Sequence, residues 1–495
     1  MQSNYNKLEQ KMKKIYHLKN ILSLIHWDIA CNIKKDSLES RTQEIVTIEN
    51  IIHHKLTSQE IQNLLDKTKK DILLLDDWQK VNVTKIEKQI IEANLIPIEL
   101  TEKMTIAATH AEVHWRKAKQ ENNYNLFKPY LQKVLDYTKQ IAKIRANKFN
   151  LSLYDALLDK FDLGSTTQEN KEIFEVLKKE LPIIIKKTLH KQKDIVFQDI
   201  PMDLEIQKKL NYYIAENLGF NIQKGRLDES THPFCGGTPY DIRMTTRYNS
   251  NNFLDSFYAT IHETGHALYE QNLPENYKNQ PVGQAKGFQF HESESLFMEK
   301  QIGKSKSFIF LLNKILRNKF IQEDPMFEVD KLYQQVNRVK PDFIRIYSDE
   351  ITYILHIILR FEIEELLIND KLSLDDLPYY WNQKSQDYLG IKPRNFIEGC
   401  LQDIHWSQGY FGYFPSYAKG MIIAAMKMKK LKRLYPDLEH DIRKGEFKKL
   451  NSYLNKHFRN LGSLKKSKEL LYICTDEHKI NPYIFLDYLK EKFLG

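Results

Sequence analysis

Turn-forming residues are scarce in this sequence, which has 17 glycines and 15 prolines among 495 residues. A many-stranded sandwich or barrel needs frequent turns, so the scarcity argues against both folds and favours long helices. Apolar residues recur at three-to-four spacing through much of residues 1–225, as in the run from Leu8 to Ile25. We therefore predict a mainly α protein. One interruption is expected, at Pro182 in the helix over residues 174–189.

A strand is predicted shortly after residue 225, where glycine and proline cluster and a short alternating run follows. Ile242, Met244 and Thr246 would face one side of this strand, and the residues between them the other. Helical periodicity resumes at Asn252, a suitable N-cap, and returns over residues 350–367. The prediction is a helical protein with a small sheet inserted in the middle of the chain.

Charge and cysteine content exclude several classes of protein. The excess of 74 basic over 65 acidic residues gives a net charge of +9, a mild bias for this length. The densest basic run, residues 426–436, is interpreted as a solvated helix face, so no nucleic-acid partner is predicted. The four cysteines form no CxxC pair, and no apolar stretch approaches the roughly 20 residues of a membrane span. A cytoplasmic protein with reduced thiols is expected.

Residues 262–266 read HETGH, the HExxH pattern of zinc peptidases. On a helix, His262 and His266 lie one turn apart on the same face, where two imidazoles can share one metal ion. Glu263 would lie beside that ion and take a proton from water. The flanking residues are largely apolar, and two imidazoles and a carboxylate would be costly to bury there without a partner. The motif therefore predicts a metal site.

A zinc hydrolase needs a third protein ligand and an open fourth position. The next polar cluster, residues 291–299, offers three carboxylates, from Glu292, Glu294 and Glu299. Their spacing does not choose between them, although Glu292 and Glu299 would share a helix face and Glu294 would not. All three stay candidates on spacing alone.

Several further motifs occur in a fixed order around HETGH. They are HPF at residues 232–234, DIRMT at 241–245, HES at 291–293, IRIYSD at 344–349 and GCLQDIHW at 399–406. Together they resemble the carboxypeptidase Taq family of zinc carboxypeptidases over nearly the whole chain. The resemblance implies a large helical domain over residues 1–495, shaped as a saddle with a deep substrate groove and related to other gluzincin-type HExxH peptidases. Residues 1–225 would form a helical lobe and residues 226–495 the metal-site lobe.

The same resemblance implies an activity and a ligand set. The zinc ligands would be His262, His266 and Glu292, with Glu263 as general base, and Co2+ or Mn2+ are alternatives to Zn2+. Peptides would lose their C-terminal residue, with broad side-chain tolerance and proline disfavoured. The enzyme would be a homodimer. Where the family usually has HESQS this chain has HESES, and we expect the added carboxylate of Glu294 to face solvent.

The remaining site candidates follow from what a carboxypeptidase must do. A terminal carboxylate suits the planar fork of an arginine, for which Arg345 and Arg243 are the candidates, with Arg247 as a third. The developing oxyanion needs a donor, and His405 and Tyr413 are assigned that role. Tyr417 is assigned to substrate binding, although the sequence does not separate the two tyrosines. Asp349 and Asp403 are candidates to support metal-bound histidines, but for Asp349 the preferred interpretation is a helix cap.

Two rival functions are considered, one with the same metal chemistry and one without catalysis. An endo-acting or dipeptide-releasing helical zinc peptidase would share the metal site but would need no clamp for a terminal carboxylate. A catalytically silent scaffold that binds RNA through its excess positive charge would need neither. The intact HETGH motif argues against the second rival.

Overall fold

Helices dominate the structure, a computed structural model that describes residues 3–34, 37–320 and 322–495. The helices before the sheet are α1 (Asn4–Cys31), α2 (Leu38–Leu56), α3 (Gln59–Lys70), α4 (Asp77–Leu95), α5 (Ile98–Gln120), α6 (Tyr124–Phe149), α7 (Leu153–Phe161), α8 (Thr167–Lys191) and α9 (Leu204–Leu218). The three strands are β1 (Gly225–Glu229), β2 (Cys235–Thr238) and β3 (Asp241–Thr246).

Eleven α-helices follow the sheet in the described residues. They are α10 (Phe253–Gln271), α11 (Gly287–Leu296), α12 (Lys306–Asn318), α13 (Val329–Val336), α14 (Thr352–Ile368), α15 (Leu377–Leu389), α16 (Pro415–Leu434), α17 (Leu438–Lys444), α18 (Lys448–His457), α19 (Ser467–Thr475) and α20 (Pro482–Leu494). A π-helical turn, Phe297–Gly303, continues α11 without a break. The prediction of a mainly α fold with a small sheet is confirmed.

Helix α8 shows why a proline need not end a helix. It runs from Thr167 to Lys191 with Pro182 inside it, so the predicted interruption is wrong. Proline removes one backbone hydrogen bond, but the buried side chains of Leu181, Ile184 and Ile185 hold both halves against the core. Tertiary packing therefore outweighs the local cost.

The sheet has the strand order β1-β3-β2, with β3 parallel to β1 and antiparallel to β2. Ile242 and Met244 are buried and pack with Ala267 of α10, which confirms their predicted side of the strand. Thr245, on the other side, is also buried, because its hydroxyl is hydrogen-bonded to that of Ser230 at 2.7 Å. The sheet therefore rests on the helix that carries HETGH.

The buried hydrophobic side chains of the described residues form three clusters, one of which is the sheet cluster around Ile242 and Met244. The main cluster contains residues from Ala107 to Phe493, on both sides of the sheet in sequence. Another, from Tyr5 to Ile90, joins α1, α2, α3 and α4. All four cysteines are free, as expected for reduced thiols. Among the described residues no helix has the length and apolarity required to cross a membrane.

Candidate metal centre

Helix α10 places HETGH in the interior of the protein. Most of its residues are buried, and Asn252 precedes it in an extended N-cap conformation. The imidazoles of His262 and His266 lie one turn apart with ring centroids separated by 5.1 Å. Glu263 is 6% exposed, so its carboxylate opens only onto the site. The four-residue spacing in the sequence therefore places both imidazoles on one face of α10, where they can share one metal ion.

Two glycines let the neighbouring helices approach the third carboxylate. A Cβ on Gly265 of α10 would lie 2.4 Å from the backbone oxygen of Glu294, so α11 crosses here almost in backbone contact. A Cβ on Gly420 of α16 would lie 2.8 Å from the Cβ of Glu292. Any larger residue at either position would displace α11 and the carboxylate it carries.

Glu292 faces both imidazoles from α11. Its Oε1 lies 3.6 Å from Nε2 of His262 and its Oε2 lies 3.6 Å from Nε2 of His266. One ligand atom from each residue falls within 4.8 Å of the other two. Ligands at about 2 Å from a tetrahedral zinc ion are about 3.3 Å apart, so this spacing fits a single divalent ion. The three residues can hold a metal with little rearrangement.

His262 is oriented from behind by the π-helical turn. Its Nδ1 lies 2.9 Å from Oε2 of Glu299, which also forms a 2.5 Å ion pair with Lys300. Burial lowers the pKa of His262, but the carboxylates of Glu292 and Glu299 outweigh this and raise it to about 9. The carboxylate fixes the ring so that Nε2 points towards Glu292.

His266 is oriented by a second histidine. Its Nδ1 lies 2.6 Å from Nδ1 of His291, and Nε2 of His291 lies 2.8 Å from Oε1 of Glu270. A metal on Nε2 leaves the proton of His266 on Nδ1, from which it donates to His291. His291 then donates to Glu270. The contacts therefore run from the carboxylate of Glu270 through two imidazoles to Nε2 of His266, the atom that would hold a metal ion.

The metal site opens into a groove of about 790 Å³. Residues from several elements line it, including His262, Glu263, Glu292, Arg345, Tyr353 and Tyr417. Burial raises the pKa of Glu263 to about 7, against the opposing influence of His262. A carboxyl in that range exchanges protons near neutral pH, which suits a general acid or base.

Arg345 reaches the groove, whereas Arg243 does not line it. Arg345 is 7% exposed, with Nε and Nη2 directed at Asp403 and Nη1 at the Tyr353 hydroxyl, 2.9 Å away. Arg243 instead pairs with Asp241 at 2.5 Å and lies over the ring of Trp27. Of the two candidates, Arg345 is therefore the arginine that lies beside the metal ligands.

The predicted oxyanion donors form an aromatic cluster at one end of the groove. Tyr417 lines the groove, and the rings of Tyr413 and His405 pack behind it at 5.1 and 6.3 Å. Burial lowers the pKa of His405 to about 3, with Arg345 contributing, so this imidazole is neutral. Tyr417 thus lines the groove, whereas neither residue assigned as a catalytic donor does.

Comparison with known proteins shows where this arrangement belongs. The family model described as carboxypeptidase Taq (M32) metallopeptidase matches residues 7–493. The chain belongs to the carboxypeptidase Taq family. It is 35% identical to carboxypeptidase 1 of Bacillus subtilis, over 97% of this chain and 96% of the relative. It is 32% identical to thermostable carboxypeptidase 1 of Pyrococcus furiosus, over 98% and 97%.

Solved structures of the carboxypeptidase Taq family have the same fold. Metallocarboxypeptidase 1 of Trypanosoma cruzi superposes with a TM-score of 0.96 at 33% identity, covering 99% of both chains. The apo-magnesium structure of the Pyrococcus furiosus carboxypeptidase gives 0.94 at 31% identity, covering 100% of this chain and 99% of that one. The protein is therefore a metallocarboxypeptidase, and its family implies a divalent metal ion, which the His262, His266 and Glu292 site fits.

Glu294, the departure from the family pattern, does not face solvent, so that expectation is wrong. Its side chain is fully buried, 2.6 Å from Nζ of Lys427 and 2.5 Å from Nε of Arg459. These two cations hold the pKa of Glu294 below its usual range although burial raises it. The expected solvated face over residues 426–436 is wrong at its start, because Met426, Lys427 and Met428 are buried.

The residues that support the imidazoles were missed by sequence reasoning. Asp349 accepts from the backbone of Ile351 and Thr352 and caps its helix, and Asp403 pairs with Arg345 and Arg360. The supporting roles fall instead to residues named above, Glu299 for one ring and His291 with Glu270 for the other. The predicted helix face shared by Glu292 and Glu299 was the sequence signal that could have identified Glu299 as a support for His262. No comparable sequence pattern indicated that Tyr353 would contact Arg345.

Proposed function

We propose that this protein is a zinc carboxypeptidase that hydrolyses the last peptide bond of peptides, with His262, His266 and Glu292 as ligands. The observation that carries the proposal is the convergence of these three side chains, with Glu263 beside them, in a groove of about 790 Å³. A donor set of two imidazoles and a carboxylate suits zinc, and cobalt or manganese are the alternatives. When bound, such an ion acts as a Lewis acid that polarises a carbonyl and lowers the pKa of water towards 7.

Glu263 is the proposed general base. Its buried carboxylate opens onto the groove beside the ligand face. It takes the proton from the attacking water and later delivers it to the nitrogen of the departing residue, so a single group serves both steps. Because α10 holds Glu263 in the turn between the two histidines, its position is fixed before substrate arrives.

Arg345 is the proposed receptor for the terminal carboxylate. Asp403 occupies its Nε side, and the hydroxyl of Tyr353 meets Nη1 on the groove side. A substrate carboxylate would replace or share the Tyr353 contact and gain a charge-assisted hydrogen bond. Arg243 remains the alternative, although it would first have to leave Asp241.

Tyr417, Tyr413 and His405 are the proposed stabilisers of the developing negative charge. Tyr417 lines the groove and would meet the substrate directly, assisted by Tyr413 and by the neutral imidazole of His405. A donor aimed at the transition state typically lowers the barrier by about 3 to 4 kcal/mol. We also propose broad side-chain tolerance with proline disfavoured, a homodimer and a cytoplasmic location, on the strength of the family resemblance.

The general-base role is tested by Glu263→Gln. The amide cannot take the proton, so we expect turnover to fall by about 100-fold or more while one zinc per chain is retained. Elemental analysis and a residue-release assay give the two readouts, and Glu102→Gln, at an exposed position, is the matched control. Wild-type turnover in zinc-loaded E263Q would remove Glu263 from the mechanism.

Blocking the C-terminus of the substrate distinguishes a carboxypeptidase from an endopeptidase. A peptide and its C-terminal amide share every side chain but differ in the charge offered to Arg345. We expect amidation to abolish release of the last residue, and Arg345→Met to raise KM for the free acid. Equal cleavage of both peptides at an internal bond would identify an endopeptidase.

A further inference from the structure

A second cavity, of about 370 Å³, lies apart from the groove. It is bounded by the loop between α7 and α8, the start of α11, the middle of α16 and the segment that leads into and out of α19. None of the residues that line it lines the metal groove. The metal groove therefore does not account for the residues that line this cavity.

The cavity is strongly basic. Five lysines line it against a single carboxylate, that of Glu169. The lysines are Lys286, Lys419, Lys466, Lys468 and Lys479. Like charges gathered in one concave site repel one another and focus a positive potential there, which favours an anionic occupant.

Two of these lysines are buried. Lys419 is 1% exposed and has polar neighbours, with Ser165 Oγ at 2.7 Å and Asp162 Oδ2 at 3.8 Å. Lys286 is 6% exposed, yet its amine has neither a hydrogen bond nor an ion pair with any residue that the structure describes. Burial lowers the pKa of Lys286 to about 8, and Lys85 and Lys88 add to this effect. The amine keeps some contact with solvent, but a largely buried ammonium without a counter-ion is still costly, and an anion in the cavity would reduce that cost.

Two further groups aimed at the cavity lack partners. The side-chain amide of Gln289, 9% exposed, makes no hydrogen bond to the described part of the chain. Helix α19 begins after Lys466 with no side-chain cap, so its first N–H groups and the positive end of its dipole point to the cavity rim. Both are the kind of donor that oxyanions accept.

The rest of the cavity wall is apolar. Leu163, Phe290, Ile423, Leu471 and Ile480 line it. We propose that this cavity binds a phosphate monoester, with the phosphate among Lys286, Lys419 and the start of α19 and a compact apolar body against these side chains. Several amines around one headgroup favour the doubly charged phosphate over a single carboxylate.

The proposal does not depend on the peptidase assignment, because the cavity shares no lining residue with the groove. We would titrate the zinc-loaded full-length protein with phenyl phosphate and with inorganic phosphate by calorimetry at constant ionic strength. Phosphate also binds exposed zinc, so the comparison between wild type and Lys286→Met isolates this cavity. A change from a buried amine to methionine removes the charge while keeping the side-chain length, and a thermal melt shows that the variant is folded.

We expect saturable binding of phenyl phosphate that weakens at least 10-fold in K286M and at least 3-fold in the double variant K466S/K479S. The double variant K392S/K448S removes two exposed lysines outside the cavity and is expected to bind as wild type does. Inorganic phosphate should bind more weakly than phenyl phosphate because it leaves the apolar wall uncovered. Equal affinity in folded K286M and wild type, or no saturable binding, would overturn the proposal.

Discussion

At the scale of single residues, the two imidazole ligands are held by different chemistry. His262 meets a carboxylate directly, whereas His266 meets a second imidazole that is itself held by Glu270. A carboxylate makes an imidazole a stronger ligand, and an intervening ring passes on less of that effect. The two halves of the site therefore respond differently to loss of their support.

Replacing His291 tests this arrangement. His291→Phe keeps a ring in place but leaves the Nδ1–H of His266 without an acceptor, so we expect zinc affinity to fall by about 10- to 100-fold. The dissociation constant measured against a competing chelator is the readout, with His440→Phe, at an exposed position, as the control. Unchanged zinc affinity in H291F would show that the contact with His291 does not orient the ligand.

At the scale of elements, α11 is held between α10 and α16 by close packing and by charge. Gly265 and Gly420 admit the helix, and Glu294 ties it to Lys427 of α16 and to Arg459 beyond α18. Arg459 also donates to Asn451 and Asn455 of α18. The buried ion pairs thus fix the helix that supplies the third metal ligand.

The variant Glu294→Gln, which restores the usual family residue, is expected to destabilise this protein. It leaves two buried cations around a neutral amide, and breaking a buried ion pair in this way costs about 3–5 kcal/mol. E294Q/K427M removes one of the stranded charges and should recover at least half of the loss. Urea unfolding of both variants measures the effect, and wild-type stability of E294Q would contradict it.

The wrong prediction that Glu294 faces solvent shows that local sequence patterns do not reveal contacts between distant residues. HETGH predicted two ligands because i and i+4 contacts are local, and the family resemblance supplied Glu292. The partners of Glu294 lie 133 and 165 residues further along the chain, where no local pattern announces them. Lys427 likewise looked like part of a solvated run because its neighbours in sequence are basic, although its amine pairs with the buried carboxylate of Glu294.

At the scale of the whole molecule, buried side chains of the N-terminal helices form a cluster of their own, which polar and aromatic contacts join to the rest of the protein. Asn82 of α4 is central among them, donating to Gln280 Oε1 at 3.1 Å and accepting from the backbone of Val282 at 3.2 Å. Trp78 stacks on Tyr277 at the same junction, 4.9 Å between centroids. The mainly α fold followed from turn scarcity and periodicity, but this division near residue 95 carries no mark in composition.

We predict that Asn82→Ala loosens the N-terminal cluster without disturbing the metal site. The change removes the Asn82 partner of the Gln280 amide oxygen and of the Val282 backbone N–H, at a cost of about 1–3 kcal/mol. Hydrogen exchange should rise across residues 5–95 and stay unchanged in α10 and α11. Asn94→Ala, which removes only a contact within α4, is the control. Uniformly faster exchange over the whole chain would contradict a separate cluster.

The proposed peptidase activity requires that His262, His266 and Glu292 bind one ion. Zinc-edge anomalous diffraction from metal-loaded crystals tests this most directly. We predict a single anomalous peak per chain, about 2 Å from Nε2 of each histidine and from a carboxylate oxygen of Glu292. A peak elsewhere, or no peak between these side chains in zinc-saturated crystals, would contradict the assignment of the site.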